Sequence, residues 1–225
     1  MVSAPVSTSK AARTRATIRE TALASFRSRG YDDTTLRLIA EEAHVSLGST
    51  YNYFPTKHHL VQELYAEVAS EFHARAVARL DGVDDLVERL RIVYLAGLDT
   101  LQPFHRFAPG FLSAAVAPRS PINPLLSTDA GEARDATVDA FRLAVDGARH
   151  SLPRELVEML PDALMLAYLL LALFWVYDAS PGQRRTRQLI DRGLGLLKLG
   201  LPLLRVPGVR KPLRELMRLV AEIRA

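Results

Sequence analysis

Between Lys10 and Arg29 the apolar residues Ile18, Ala22, Leu23 and Phe26 recur every three or four positions, the spacing that lines one side of an α-helix. Gly30 ends that pattern, as glycine does just past a helix. The stretch YDDTT then offers Thr34 or Thr35 as a cap for a second helix that buries Leu36, Ile39, Ala40 and Ala43. After a short turn Ser46 is placed to cap a third helix, Leu47 to Phe54, and Pro55 disfavours its continuation. Thr56 can cap a long helix that begins at Lys57 and runs to about Leu80, where DGVDD breaks it. Leu86, Leu90, Val93, Tyr94 and Leu98 mark a further helix from about Asp84 to Leu101. Five prolines between Gln102 and Pro124 predict a broken helix and a loop. Three long helices follow, at about Leu125 to His150, Pro153 to Asp178 and Gln183 to Arg205, and an amphipathic segment from Arg210 reads as a tail helix. Strand-like alternation is nearly absent, so the chain is expected to be all-α.

Two short helices separated by a tight turn make the helix-turn-helix pattern. The expected organisation is therefore an N-terminal arm and helix-turn-helix domain over residues 1–56, followed by a helical domain over 57–225. On a helical wheel the third helix turns Leu47, Thr50 and Phe54 to one side. Gly48, Ser49, Asn52 and Tyr53 lie on the other, with Tyr51 at the border. That outer face is small, polar and aromatic, and it carries no acid. Such a face suits the DNA major groove, where Asn52 matches the donor and acceptor edge of adenine and Gly48 lets the backbone come close.

Charge strengthens this picture. Among the first thirty residues Lys10, Arg13, Arg15, Arg19, Arg27 and Arg29 face a single acid, Glu20. Lys10, Arg13 and Arg15 read as a flexible basic arm toward a polyanion. Lys57 stands at a helix start, where the macrodipole already disfavours a cation, and an anion such as a DNA phosphate held there would resolve the mismatch. Thr35 at the start of the second helix can hold another phosphate, and Arg37 a phosphate or a guanine edge.

The totals exclude several functions. The 225 residues contain no cysteine, so disulfides and cysteine-based metal sites or nucleophiles are ruled out. No nucleophile elbow, phosphate-binding glycine loop or metal-binding helix motif occurs, so no catalytic residue, cofactor or metal is expected and the chain is read as a non-enzyme. The N-terminus lacks the apolar core of a secretory signal. The uncharged run from Ala163 to Tyr177, bracketed by Asp162 and Asp178, is short for a membrane span and predicts a helix buried in protein. A cytoplasmic protein without a membrane partner is expected.

The segment from Thr17 to Tyr65 resembles the DNA-binding domain of TetR-family transcriptional regulators. The likeness rests on Ile39-Ala40, on Val45-Ser46-Leu47-Gly48, and on Tyr51-Asn52-Tyr53-Phe54-Pro55-Thr56-Lys57. Thr50 replaces a frequent aliphatic residue and Tyr53 a frequent histidine, which bears on base preference only. The resemblance implies an all-α homodimer of about nine or ten helices, most often a repressor. A small molecule bound in the C-terminal domain would release it from a palindromic double-stranded DNA operator. It implies dimerisation through the last two long helices, here about 153–178 and 183–205, where Gly193 and Gly195 permit close approach. Tyr94, Phe104, His105, Phe107, Phe111, Tyr168 and Trp175 are candidates to line a pocket for a largely apolar effector. The rival expectation is a helical membrane-surface or scaffold protein, resting on the basic amphipathic tail.

Overall fold

A computed structural model describes residues 9–105, 108 and 109, 131–150, 152–202 and 215. Among these residues the chain forms eight α-helices and no strand. They are α1 Lys10–Arg29, α2 Leu36–Glu42, α3 Leu47–Tyr53, α4 Lys57–Leu80, α5 Leu86–Leu101, α6 Gly131–Asp146, α7 Arg154–Val176 and α8 Arg184–Gly200. Apart from Glu215, the expected tail helix lies outside the described residues, as does the segment from Leu125 to Ala130.

Side-chain caps set the helix starts. Ser9, Thr35, Ser46 and Asp85 each accept a hydrogen bond from the backbone N–H three residues on, so one orphan donor at each start is satisfied. Thr34, the other candidate cap for α2, is buried instead, and its hydroxyl donates to the Gly30 carbonyl at 2.7 Å. Thr56 stands at the cap position of α4 but makes no cap bond. Its hydroxyl meets His59 Nδ1 at 2.8 Å.

The apolar faces close on two cores. The first joins α1, α2 and α3 to the start of α4, through residues such as Ile18, Phe26, Ile39, Phe54 and Leu64. The second joins the far half of α4 to α5, α6, α7 and α8, through Phe72, Leu90, Phe141, Tyr168 and Trp175. One helix, α4, thus serves both cores. Against its far end packs Arg89 of α5, a buried guanidinium with no carboxylate partner among the described residues. It donates to the carbonyls of Leu80 (2.9 Å), Val83 (2.6 Å), Leu143 (2.7 Å) and Ala144 (2.8 Å). The Leu80, Leu143 and Ala144 oxygens lie at the ends of α4 and α6, where the helix dipoles favour a cation, and Val83 follows α4 in the loop. A Cβ on Gly147 would collide with Arg89 Nη2, so glycine makes room for the guanidinium.

The crossing of α5 and α7 is close for a similar reason. A Cβ on Gly97 would lie 2.5 Å from Tyr168 Cε2. The Tyr168 ring stacks on Phe72 at 5.5 Å between centroids. The turn from α7 to α8 is built on Asp178, which accepts from the backbone and hydroxyl of both Ser180 and Thr186. Burial pushes its carboxyl up, but those four donors outweigh burial and hold it well below the ordinary carboxylate range.

α7 is long and apolar enough to cross a membrane. One side of it, Leu164, Met165, Tyr168, Leu171 and Trp175, is buried in the second core. The opposite side leaves Leu170, Leu173, Phe174 and, just past the helix end, Tyr177 exposed.

Candidate nucleic-acid interface

The third helix presents a divided surface, much as its wheel predicts. Thr50 and the capping residue Phe54 are fully buried, and Thr50 Oγ1 donates to the Ser46 carbonyl at 3.2 Å. Tyr51 is 49% exposed, and Gly48 and Asn52 are exposed beside it. Among the described residues nothing lies within 4 Å of a Cβ built on Gly48, so no packing there requires glycine. Leu47 and Ser49 are half-buried. Tyr53 differs from expectation. Its ring packs against the first core instead of standing outward, because apolar area is better removed from water than held in it. The turn before α3 holds His44 at φ 54, a left-handed conformation unusual outside glycine.

The basic arm also takes a different form. Lys10, Arg13 and Arg15 sit within the first turns of α1, so helix geometry fixes them. Lys10 and Arg13 are exposed. Arg15 is committed to the fold: it reaches Glu63 of α4 at 2.7 Å and lies over the Phe54 ring at 4.8 Å. Thr35 is exposed with its oxygen capping α2, and Arg37 is exposed one turn in.

Lys57 corrects the argument from the helix dipole. Its ammonium needs no external anion in the unbound chain, because backbone carbonyls supply the negative partner. Nζ donates to Tyr31 O at 2.5 Å and to Thr34 O at 2.9 Å, with Asp32 O at 3.5 Å and the Tyr31 ring centroid at 4.0 Å. Burial lowers its pKa, and Asp32 and Asp33 offset part of that effect. The lysine therefore ties the α1–α2 connector to the start of α4. These partners are about two dozen residues away in sequence, beyond what a local reading of one helix end registers.

The pocket candidates scatter. Tyr94, Tyr168 and Trp175 come together in the second core. Burial pushes both phenols above their ordinary value, so they stay neutral, and Tyr94 donates to the Leu164 carbonyl at 3.2 Å. His105 stands edge-on to the Trp175 ring at 4.7 Å, and its Nε2 donates to the Trp175 carbonyl at 3.0 Å. Phe104 does not join them. It packs against the first core, with the Arg27 guanidinium 5.4 Å from its ring. Phe107 and Phe111 lie outside the described residues. Arg27 and Arg89 had no signal in the local pattern, since each is partnered across the tertiary fold.

Comparison with known proteins follows the same division. The family model for bacterial regulatory proteins of the tetR family matches residues 18–64. That for the tetracyclin repressor-like C-terminal domain matches residues 89–221. The transcriptional repressor KstR2 of Mycobacterium tuberculosis is 32% identical over 91 residues, which are 40% of this chain and 46% of KstR2. The chain thus spans about half the length of the curated relatives it matches. A putative TetR-family regulator from Syntrophomonas wolfei superposes with a TM-score of 0.65 at 18% identity, over 84% of this chain and 96% of that one. FadR of Thermus thermophilus, a repressor solved with lauroyl-CoA, gives 0.59 at 22% identity, over 80% and 92%. Those structures share the fold. With the C-terminal family model covering more than half of its length, the chain belongs to the TetR family of DNA-binding transcriptional regulators.

Proposed function

We propose that the chain is a homodimeric, ligand-released repressor that reads a palindromic operator with α3 and works in the cytoplasm. The observation that carries this is the acid-free outer face of α3, Gly48, Tyr51 and Asn52, held rigid from behind by buried Thr50 and Phe54. Asn52 reads a base edge, and Tyr51 and Ser49 reach the groove wall. Thr35, the α4 N–H groups and the exposed cations Lys10, Arg13 and Arg37 meet phosphates. Lys57 acts indirectly, by holding the connector that carries Thr35.

Dimerisation through α7 and α8 rests on what one chain leaves uncovered. Leu170, Phe174 and Tyr177 on the α7 side are exposed, as are Leu189, Leu196 (71%) and Leu199 (75%) of α8. Among the described residues nothing lies within 4 Å of a Cβ built on Gly193 or Gly195, so these glycines serve no packing there. A second copy lying across them explains both facts. The domain division near residue 56 is proposed as a functional one, since α4 packs in both cores. The effector is a largely apolar small molecule taken by the C-terminal domain, as the lauroyl-CoA complex of FadR illustrates for that protein.

Gel shift of the full-length protein on the DNA upstream of its own gene tests the proposal. Salt-sensitive binding to a twofold-symmetric site is expected. Asn52→Ala should relax preference at a particular base pair by about 1–3 kcal/mol. Lys57→Ala should weaken all sequences alike with an unchanged salt slope. A slope smaller by about one would instead give Lys57 a phosphate of its own.

A further inference from the structure

Trp175 is the single tryptophan of the chain. It is 2% exposed, and its ring is edge-on to His105. Among the described residues its indole Nε1 is buried without a hydrogen-bond partner. An indole can only donate, and a buried donor left unmade costs the full desolvation of the group. Buried polar groups in folded proteins are nearly always paired, so an exception asks for an explanation.

The surroundings restrict what could pair with it. His105 offers no relief through Nε2, which already donates to the Trp175 carbonyl. Tyr168, on the same helix, is turned into the stack with Phe72. The described side chains of the cluster that holds Trp175 are mostly aliphatic and aromatic, with the His105 imidazole against its ring. A carboxylate or phosphate in that setting would lose its hydration for one neutral hydrogen bond, a poor exchange. A neutral carbonyl oxygen of a ketone, ester or thioester loses far less and satisfies the donor.

We propose that the Trp175 indole N–H is the polar anchor of the effector site and donates to the neutral carbonyl oxygen of a largely apolar effector. This deepens the ligand-release reading above and rests on it for its biological meaning, but not for its chemistry. The site discriminates by the argument that governs buried polar groups generally. A ligand with the oxygen satisfies the donor, and an isosteric hydrocarbon leaves it unmade.

The test uses the full-length protein labelled with nitrogen-15 on tryptophan, whose spectrum contains one indole signal. Cyclohexanone and methylenecyclohexane serve as probes, since they differ chiefly in the oxygen. Saturable downfield movement of the indole proton with cyclohexanone, and none with the hydrocarbon, is expected. Trp175→Phe should lower cyclohexanone affinity at least tenfold while the far-ultraviolet spectrum stays unchanged. An indole proton indifferent to cyclohexanone, or already at a hydrogen-bonded position without it, overturns the proposal on the native protein even if the variant fails to fold. No DNA enters the measurement. Loss of operator binding would thus sink the proposed function while leaving this site untouched, and the reverse also holds.

Discussion

The two cores differ in how far a single chain completes them. In the first, several polar groups find partners within the same region: Lys57 on the connector carbonyls, Thr34 on Gly30, Arg15 on Glu63. What this region leaves outward is mostly polar, cationic or small, with Tyr51 an exposed aromatic among them. The second core is larger, yet it leaves leucines exposed on α7 and α8 and one indole without a partner. A surface finished with polar groups is ready for water or a polyanion, whereas one that ends in exposed leucines asks for another protein surface.

That contrast can be broken most severely at the exposed leucines. Leu196→Glu should give a folded monomer by sedimentation and lower operator affinity by two orders of magnitude or more, because two linked half-sites bind far more tightly than one. A dimer that persists would mean that α8 is covered by something else. Next in size is Arg89→Met, expected to cost roughly 3 kcal/mol in urea denaturation by leaving buried carbonyls unpaired. The loss should fall on the second core, so that the first retains its hydrogen-exchange protection longer.

A smaller effect is expected at Asp178. Its folded pKa lies below the unfolded value, so the stabilisation is present above about pH 4 and fades as pH falls toward the folded value. Asp178→Asn should cost about 2 kcal/mol at neutral pH and flatten the acid limb of the melting profile. An equally steep acid limb in the variant would place the titration elsewhere. The smallest change sharpens the first core: His44→Gly relieves a left-handed residue and should raise stability by about 0.5 kcal/mol, read as a shift in the urea midpoint.

Much of the first region was legible because its punctuation is local. Gly30, Thr35, Ser46 and Pro55 act within three or four residues, and α1 to α4 begin and end close to where those residues put them. The split of α3 followed from periodicity, apart from Tyr53, whose ring bends back to apolar neighbours. Legibility failed where the partner is distant. A lysine at a helix start looks short of an anion until the Tyr31 and Thr34 carbonyls arrive from another segment. Arg89 shares a helix with Leu86, Leu90 and Val93, and nothing in that run reveals two helix ends waiting for its guanidinium. Of the pocket candidates, aromatic character alone could not separate Phe104, which joins the first core, from Trp175, which joins the second.

Phe104 and His105 are neighbours in the chain, and consecutive Cα atoms stand about 3.8 Å apart across an inextensible peptide. One of them is wedged beside Arg27 at the end of α1, and the other is fastened to the Trp175 carbonyl of α7. The pair works as a rivet of fixed length between two plates. The plates can rock about it, but neither slides past the other by more than one residue's reach without tearing a contact. The α1 end and the Trp175 end therefore share a mechanical fate whatever the long α4 strut is doing.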